Sequence, residues 1–196
     1  MITDRGGEKR PLAEKVREAI LGGADAVQLR DKTASDEELI RQAKELLLLT
    51  RSAGIPLIVN DRIRVAKKAG ADGVHLGQDD ASIKEARTVL GKKAIIGRST
   101  HTPEQALRAQ REGFDYIGVG PVFATPTKPS YEPVGLEFVR FAAKNIRIPF
   151  VAIGGIDEKN VFQVKSAGAK VVAVVRAVMA SEDPQKSTKS IRGFMV

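Results

Sequence analysis

The chain has no cysteine and no tryptophan, and aromatic side chains make up only 5% of its 196 residues. Without thiols there is no disulfide, no thiolate metal ligand and no cysteine nucleophile, so chemistry falls to Ser, Thr, Asp, Lys, Arg and two His. Any catalytic metal would then be held by oxygen. The sequence also lacks the run of about 18 uncharged apolar residues needed to cross a bilayer. Its opening, MITDRGGEKR, has no apolar stretch of the secretory-signal kind. Both absences point to a cytoplasmic protein with no membrane partner. Lys and Arg outnumber Asp and Glu by 32 to 24, a net charge of +8, which suits an anionic ligand. Nucleic acid is disfavoured as that ligand, because the basic residues are scattered and aromatic platforms for base stacking are few.

What is present is a repeat. GADAVQL from Gly23, GADGVHL from Gly70, GFDYIGV from Gly113 and GAKVVAV from Gly168 share one pattern, with starts 47, 43 and 55 residues apart. Each follows a stretch of helical character. The glycine suits the left-handed position that ends a helix, and the apolar run after it suits a buried strand. PLIVN from Pro56, AIIG from Ala94 and PFVAIGG from Pro149 are further short apolar runs. With Met1-Ile2-Thr3 as a clipped first strand, the count reaches eight. Ser35 to Glu38 and Ser82 to Glu85 each match a capping box, and Thr102-Pro103 places proline in a first helical turn. Eight strand and helix alternations in one domain spanning 1–196 predict a single (β/α)8 TIM barrel. No GxGxxG turn follows the first strand, which argues against a dinucleotide-binding sheet.

In such a barrel the active site lies at the carboxyl ends of the strands. Those ends carry Gln28, Arg30 and Lys32; Asn60 and Asp61; Gln78, Asp79 and Asp80; Ser99 and His101; the loop from Gly120 to Tyr131; Gly154-Gly155; and Arg176. Neighbouring strands lie about 5 Å apart, so Asp61 and Asp80 can converge on one point. Mg2+ fits such a pair, since it takes one or two carboxylates together with substrate phosphate and water. Asp80 could instead cap the following helix, a duty for which Ser82 competes. His75 falls on the inner side of its apolar run and reads as a core histidine or one supporting the site. His101 has two readings, proton transfer or helix entry. Gly154-Gly155, with amides at the next helix start, is one candidate phosphate site; Arg30 and Lys32 form a second, cationic one. The Gly120 to Tyr131 loop, with its hydroxyls and Lys128 between prolines, reads as a binding loop.

Six motifs occur in order: VQLRDK (27–32), VNDR (59–62), GVHLGQDD (73–80), GRSTHT (97–102), GPVFATPTK (120–128) and AIGGI (152–156). Together they resemble the thiamine-phosphate synthase family, also called thiamine-phosphate pyrophosphorylase, over nearly the whole chain. The resemblance implies a transferase of thiamine biosynthesis that joins 4-amino-2-methyl-5-(diphosphooxymethyl)pyrimidine to a thiazole phosphate, giving thiamine phosphate and pyrophosphate. It implies that Gln28, Leu29, Arg30, Asp31, Lys32 and Asn60 hold the pyrimidine diphosphate. Asp61 and Asp80 match the Mg2+ ligands. Ser99 and Lys128 would also contact the diphosphate or the pyrimidine, and Arg30, Lys32, Asn60, Ser99 and Lys128 are the candidate catalytic residues. Thr125, Thr127, Gly155, Val175 and Arg176 match the thiazole phosphate site. Two positions depart from the pattern: the family often carries Ser where Arg176 stands, and the first strand is short. A homodimer is a further expectation. The rivals are a thiazole tautomerase of the same superfamily, which uses a histidine at the position of His101, and a non-catalytic ligand- or RNA-binding barrel.

Overall fold

Strand and helix alternate along the chain as the repeats require. A computed structural model describes residues 1–4, 10–126 and 132–195. Seven strands, β1 (Val27–Leu29), β2 (Leu57–Asn60), β3 (Gly73–Leu76), β4 (Ile95–Thr100), β5 (Tyr116–Val119), β6 (Phe150–Ile153) and β7 (Val172–Ala173), pair in sequence order, every pair parallel. The helices are α1 (Leu12–Leu21), α2 (Asp36–Ser52), α3 (Ile63–Ala69), α4 (Ile83–Leu90), α5 (Pro103–Glu112), α6 (Gly135–Asn145), α7 (Val161–Ser166), α8 (Arg176–Met179) and α9 (Pro184–Met195). Among the described residues, none is long and apolar enough to cross a membrane.

The expected first strand is reduced to a bridge, and it closes the barrel. Ile2 pairs with Gln28 in parallel fashion. On that side Gln28 donates its amide to the Met1 carbonyl and Thr3 donates to the Gln28 carbonyl; on the other, the Ile2 amide donates to Val174, just past β7. The Thr3 hydroxyl, 1% exposed, adds bonds to the amide and carbonyl of Arg30.

The repeats end their helices largely as expected. Gly70 and Gly113 are left-handed caps of α3 and α5. The aspartate of the repeat adds a clip that the sequence alone did not reveal. Asp72 accepts the Leu57 amide that opens β2, and Asp115 accepts the Ile96 amide in β4 while pairing with Arg87. Each ties its strand to the preceding one. At the helix starts, Ser82 and Glu85 form a full capping box and Thr102 caps α5, with proline in the first turn. Ser35 makes only half of the expected box: it accepts the Glu38 amide, but the Glu38 carboxylate turns to Arg41 and Gln42.

Ser82→Ala should lower stability by about 1 kcal/mol, read from urea unfolding at neutral pH. The Glu85 carboxyl is held below its usual range by the Ser82 amide and hydroxyl. Its help is therefore complete above the unfolded carboxylate pKa and is lost as pH falls through the lowered folded one. The penalty of Ser82→Ala should shrink under acid.

Outward faces of the strands form the core. Val27, Leu29, Leu57, Val59, Val74, Leu76, Ile96, Ile117 and Val119 are all 1% exposed or less, packed beneath the helices. Alternation then turns Gln28, Ile58, Asn60, His75, Ser99 and Gly118 towards the barrel axis.

Candidate active site

A cavity of about 490 Å³ opens within the barrel at the carboxyl ends of the strands, and its wall mixes polar and small residues. Gln28, Arg30, Asn60, His75, Ser99, His101 and Tyr116 contribute polar groups; Gly118, Gly120, Val151, Ile153 and Ala173 keep the remainder small or apolar. Barrel interiors are usually filled by layers of large branched side chains, so glycine and alanine at inward positions leave this space open.

The strand register explains the floor. Asn60 pairs with His75, His75 with Gly97, and Gly97 with Tyr116, placing one residue from each of β2 to β5 side by side. A Cβ on Gly97 would stand 2.2 Å from the Tyr116 ring and 2.6 Å from His75 Nδ1. The missing side chain lets the Tyr116 hydroxyl reach His75 Nδ1 across β4 at 2.9 Å. His75 Nε2 lies 2.9 Å from the Ser99 hydroxyl, two residues further along β4. His75 is 9% exposed and so joins the core to the wall, as its place in the sequence suggested. Desolvation, helped by Asp115, pushes the Tyr116 phenol well above its ordinary range. Tyr116 itself was not legible as a site residue: its repeat reads as a buried strand, and its partner lies two strands away.

Ser99 lies within β4 rather than in the loop after it, and its inward position follows from alternation. His101 follows the strand end. Its Nδ1 is 2.5 Å from the Gly120 carbonyl, and its amide is bound by the Gln105 side chain. Thus it joins β4 to the loop after β5 and opens α5 at once.

Of the acidic pair, Asp61 is the only non-glycine residue with positive φ among those described, at 60°, and its amide donates to the His75 carbonyl. Such a conformation disfavours most side chains but is tolerated by Asp and Asn. The helix-cap reading of Asp80 is overturned: Ser82 caps α4, and Asp80 Oδ2 instead accepts the Gly77 amide at 2.6 Å, closing the turn after β3. That turn is clamped to β4. Gln78 Nε2 donates to the Ser99 carbonyl, while Arg98 reaches the carbonyls of Gln78 and Ala81 with its guanidinium over Phe114. Neither carboxylate is among the residues that line the cavity. Among the described residues there is no cluster of three or more His, Asp or Glu around one point. A pair of carboxylates at adjacent strand ends is a donor set suited to Mg2+, which completes its shell with phosphate and water.

The other site candidates divide. Arg30, Thr125, Gly155, Val175 and Arg176 all line the cavity. Arg30 forms a long ion pair with Asp4, 3.8 Å between Nη1 and Oδ1. Leu29 is 1% exposed in the core, so only its main chain can meet a ligand. Asp31 folds onto its own loop, accepting the Thr33 amide and hydroxyl and the Ala34 amide. Lys32 is exposed. Gly154 and Gly155 have positive φ, but the space above them is taken by the chain after β5: a Cβ on Gly155 would meet the Ala124 carbonyl at 2.6 Å. Their lack of side chains therefore seats that loop. The next helix start after these glycines is α7, which opens at Val161 with Asn160 before it, and the helix after β7, α8, is a single turn from Arg176. Thr127 and Lys128 lie outside the described residues.

The family model for thiamine monophosphate synthase matches residues 1–178. A thiamine-phosphate synthase of Chloroflexus aurantiacus is 46% identical over 197 aligned residues, covering 100% of this chain and 91% of that protein. One from Thermosynechococcus vestitus is 47% identical over 92% of this chain, which spans 51% of that longer protein. The solved structure of thiamine phosphate pyrophosphorylase from Pyrococcus furiosus superposes with a TM-score of 0.90 at 41% identity, covering 99% of this chain and 93% of that one.

Proposed function

The chain belongs to the thiamine monophosphate synthase family, and we infer from that premise that it transfers a 4-amino-2-methylpyrimidin-5-ylmethyl group from diphosphate to the nitrogen of a thiazole phosphate. The products are thiamine phosphate and pyrophosphate. The observation that carries this reading at the site is a cavity whose wall holds two arginines, Arg30 after β1 and Arg176 after β7, together with the neutral hydrogen-bonding groups of Gln28, Asn60 and Ser99. Two anionic substrates that must meet with their reacting ends together match this distribution of charge.

Gln28, Asn60 and Ser99 would orient the aminopyrimidine, with Arg30, Lys32 and Lys128 on its diphosphate. Thr125, Thr127, Gly155, Val175 and Arg176 would take the thiazole phosphate; Arg176, exposed at the rim, offers a guanidinium where a smaller hydroxyl is common. The methylene carbon–oxygen bond breaks with its electron pair leaving on the diphosphate, and the cation spreads into the ring. The thiazole nitrogen lone pair then forms the new carbon–nitrogen bond. No side chain need remove a proton for that bond to form. The apolar wall of Val151, Ile153 and Ala173 keeps water from the cation. Asp61 and Asp80 would hold Mg2+, which when bound neutralises charge on the departing pyrophosphate. Both substrates are phosphorylated and do not diffuse through bilayers, which supports a cytoplasmic setting.

Purified protein given both substrates and Mg2+ should release one pyrophosphate per thiamine phosphate formed. Isomerisation of a thiazole carboxylate phosphate without pyrophosphate release would replace this reading with the tautomerase. Strongly salt-dependent RNA binding with no turnover would replace it with a binding barrel.

A further inference from the structure

We infer that Tyr116 and His75 are positioning residues that give the hydrogen-bond chain across the cavity floor a fixed direction, from Tyr116 to His75 to Ser99, so that the Ser99 hydroxyl offers its proton to a hydrogen-bond acceptor on the substrate. The inference rests on the reading above that this cavity takes the pyrimidine diphosphate.

Both imidazole nitrogens of His75 are engaged by hydroxyls at 2.9 Å, Nδ1 by Tyr116 and Nε2 by Ser99. A neutral imidazole carries one N–H and one lone pair, so one hydroxyl must donate to the ring and the other must accept from it. The two hydroxyls are chemically unequal. A phenol oxygen shares its lone pair with its ring, which makes it the stronger donor and the weaker acceptor; an aliphatic hydroxyl is the reverse. The Tyr116 phenol also stays protonated, since desolvation raises its pKa. Among the described residues its hydroxyl has no protein partner besides His75. Tyr116 therefore donates to Nδ1, the proton of His75 sits on Nε2, and Nε2–H donates to Ser99 Oγ. The serine's own proton is then left to point into the cavity, where a ring nitrogen or a diphosphate oxygen can accept it.

The other histidine supplies an internal control. His101 Nδ1 faces a carbonyl, which can only accept, so its proton sits on Nδ1. The two histidines of this chain are opposite tautomers.

The test begins with ligand-free protein. Nitrogen-15 spectra of the imidazoles, above the pH at which they protonate and assigned with His101→Gln, should show Nε2–H for His75 and Nδ1–H for His101. Finding Nδ1–H at His75 overturns the proposal. Tyr116→Phe leaves the ring in its slot beside Gly97 and removes only the donor. Its His75 signal should become a mixture of tautomers. The KM for the pyrimidine diphosphate should rise by about threefold to tenfold with kcat little changed, the effect of one misdirected hydrogen bond. His75→Gln, which keeps an N–H for Ser99, should retain a lower KM than His75→Leu. Weakened binding of inorganic pyrophosphate to Tyr116→Phe would identify the acceptor as a diphosphate oxygen; unchanged pyrophosphate binding with a raised substrate KM would identify a ring nitrogen. An unchanged tautomer and unchanged KM in Tyr116→Phe would reject the chain. The tautomer readout needs no substrate, so a failure of the synthase assignment is separable from a failure of this one.

Discussion

Asp61→Asn and Asp80→Asn should each cut kcat by roughly a hundredfold or more while the melting temperature stays near that of the wild type. Asparagine is the informative replacement at both positions. At residue 61 the backbone has φ of 60°, where alanine would add strain of about 1–2 kcal/mol and confuse lost charge with lost structure; asparagine tolerates this conformation. At residue 80 the amide oxygen can still accept the Gly77 amide, preserving the turn after β3. What each variant loses is one negative charge beyond the carboxyl end of its strand. If the pair holds Mg2+ against the leaving pyrophosphate, added Mg2+ should partly restore Asp80→Asn. Steady-state kinetics over a range of Mg2+ concentrations, with circular dichroism melts alongside, measure both effects. Turnover equal to wild type in both variants would remove the carboxylates from the reaction.

Gly97→Ala should be among the most damaging single-methyl additions in the barrel. The new Cβ would stand 2.2 Å from a ring carbon of Tyr116 and 2.4 Å from another, with His75 Nδ1 at 2.6 Å. An aromatic ring held between strands cannot retreat as the tip of a flexible chain can, so Tyr116 must leave its slot. Overpacking of this kind costs about 1–3 kcal/mol, or roughly 3–10 °C in melting temperature for a chain of this size. Activity should fall with it, because displaced Tyr116 no longer meets His75. Gly118→Ala is the stability control: there the nearest atom is His75 Cε1 at 3.4 Å, an ordinary contact, and the melting temperature should hardly move. Equal melting temperatures for Gly97→Ala and Gly118→Ala would show that the floor is looser than its register implies.

The alternation was legible because each signal is local. A glycine ending a helix, an apolar run of four or five residues and a serine three residues before a glutamate are all read within one turn of chain. The cavity wall was legible for the same reason at Gln28, Arg30, Asn60 and Ser99, which sit at or beside strand ends that the repeats mark. What the sequence hid depends on lateral register between strands. Tyr116 became part of the site only through Gly97, a residue without a side chain of its own. Asp80 proved to close a turn, a choice between two backbone amides that residue type leaves open. The glycines after β6 looked like room for phosphate, whereas Pro121 to Ala124 occupy that room. Leu29 belongs to a motif in which Gln28 and Arg30 line the cavity, yet strand alternation turns its side chain the other way.

The Ile2 bridge bears on how the molecule behaves in a crowd. A seven-stranded parallel sheet left open would end in two unpaired edges, at β1 and β7, each a template on which another chain could add a strand. The same short stretch occupies both: Met1 and Thr3 bond to Gln28, and Ile2 bonds to Val174. Three residues thus leave a neighbouring molecule no exposed edge for strand exchange at this seam, and self-association through sheet extension is closed off there.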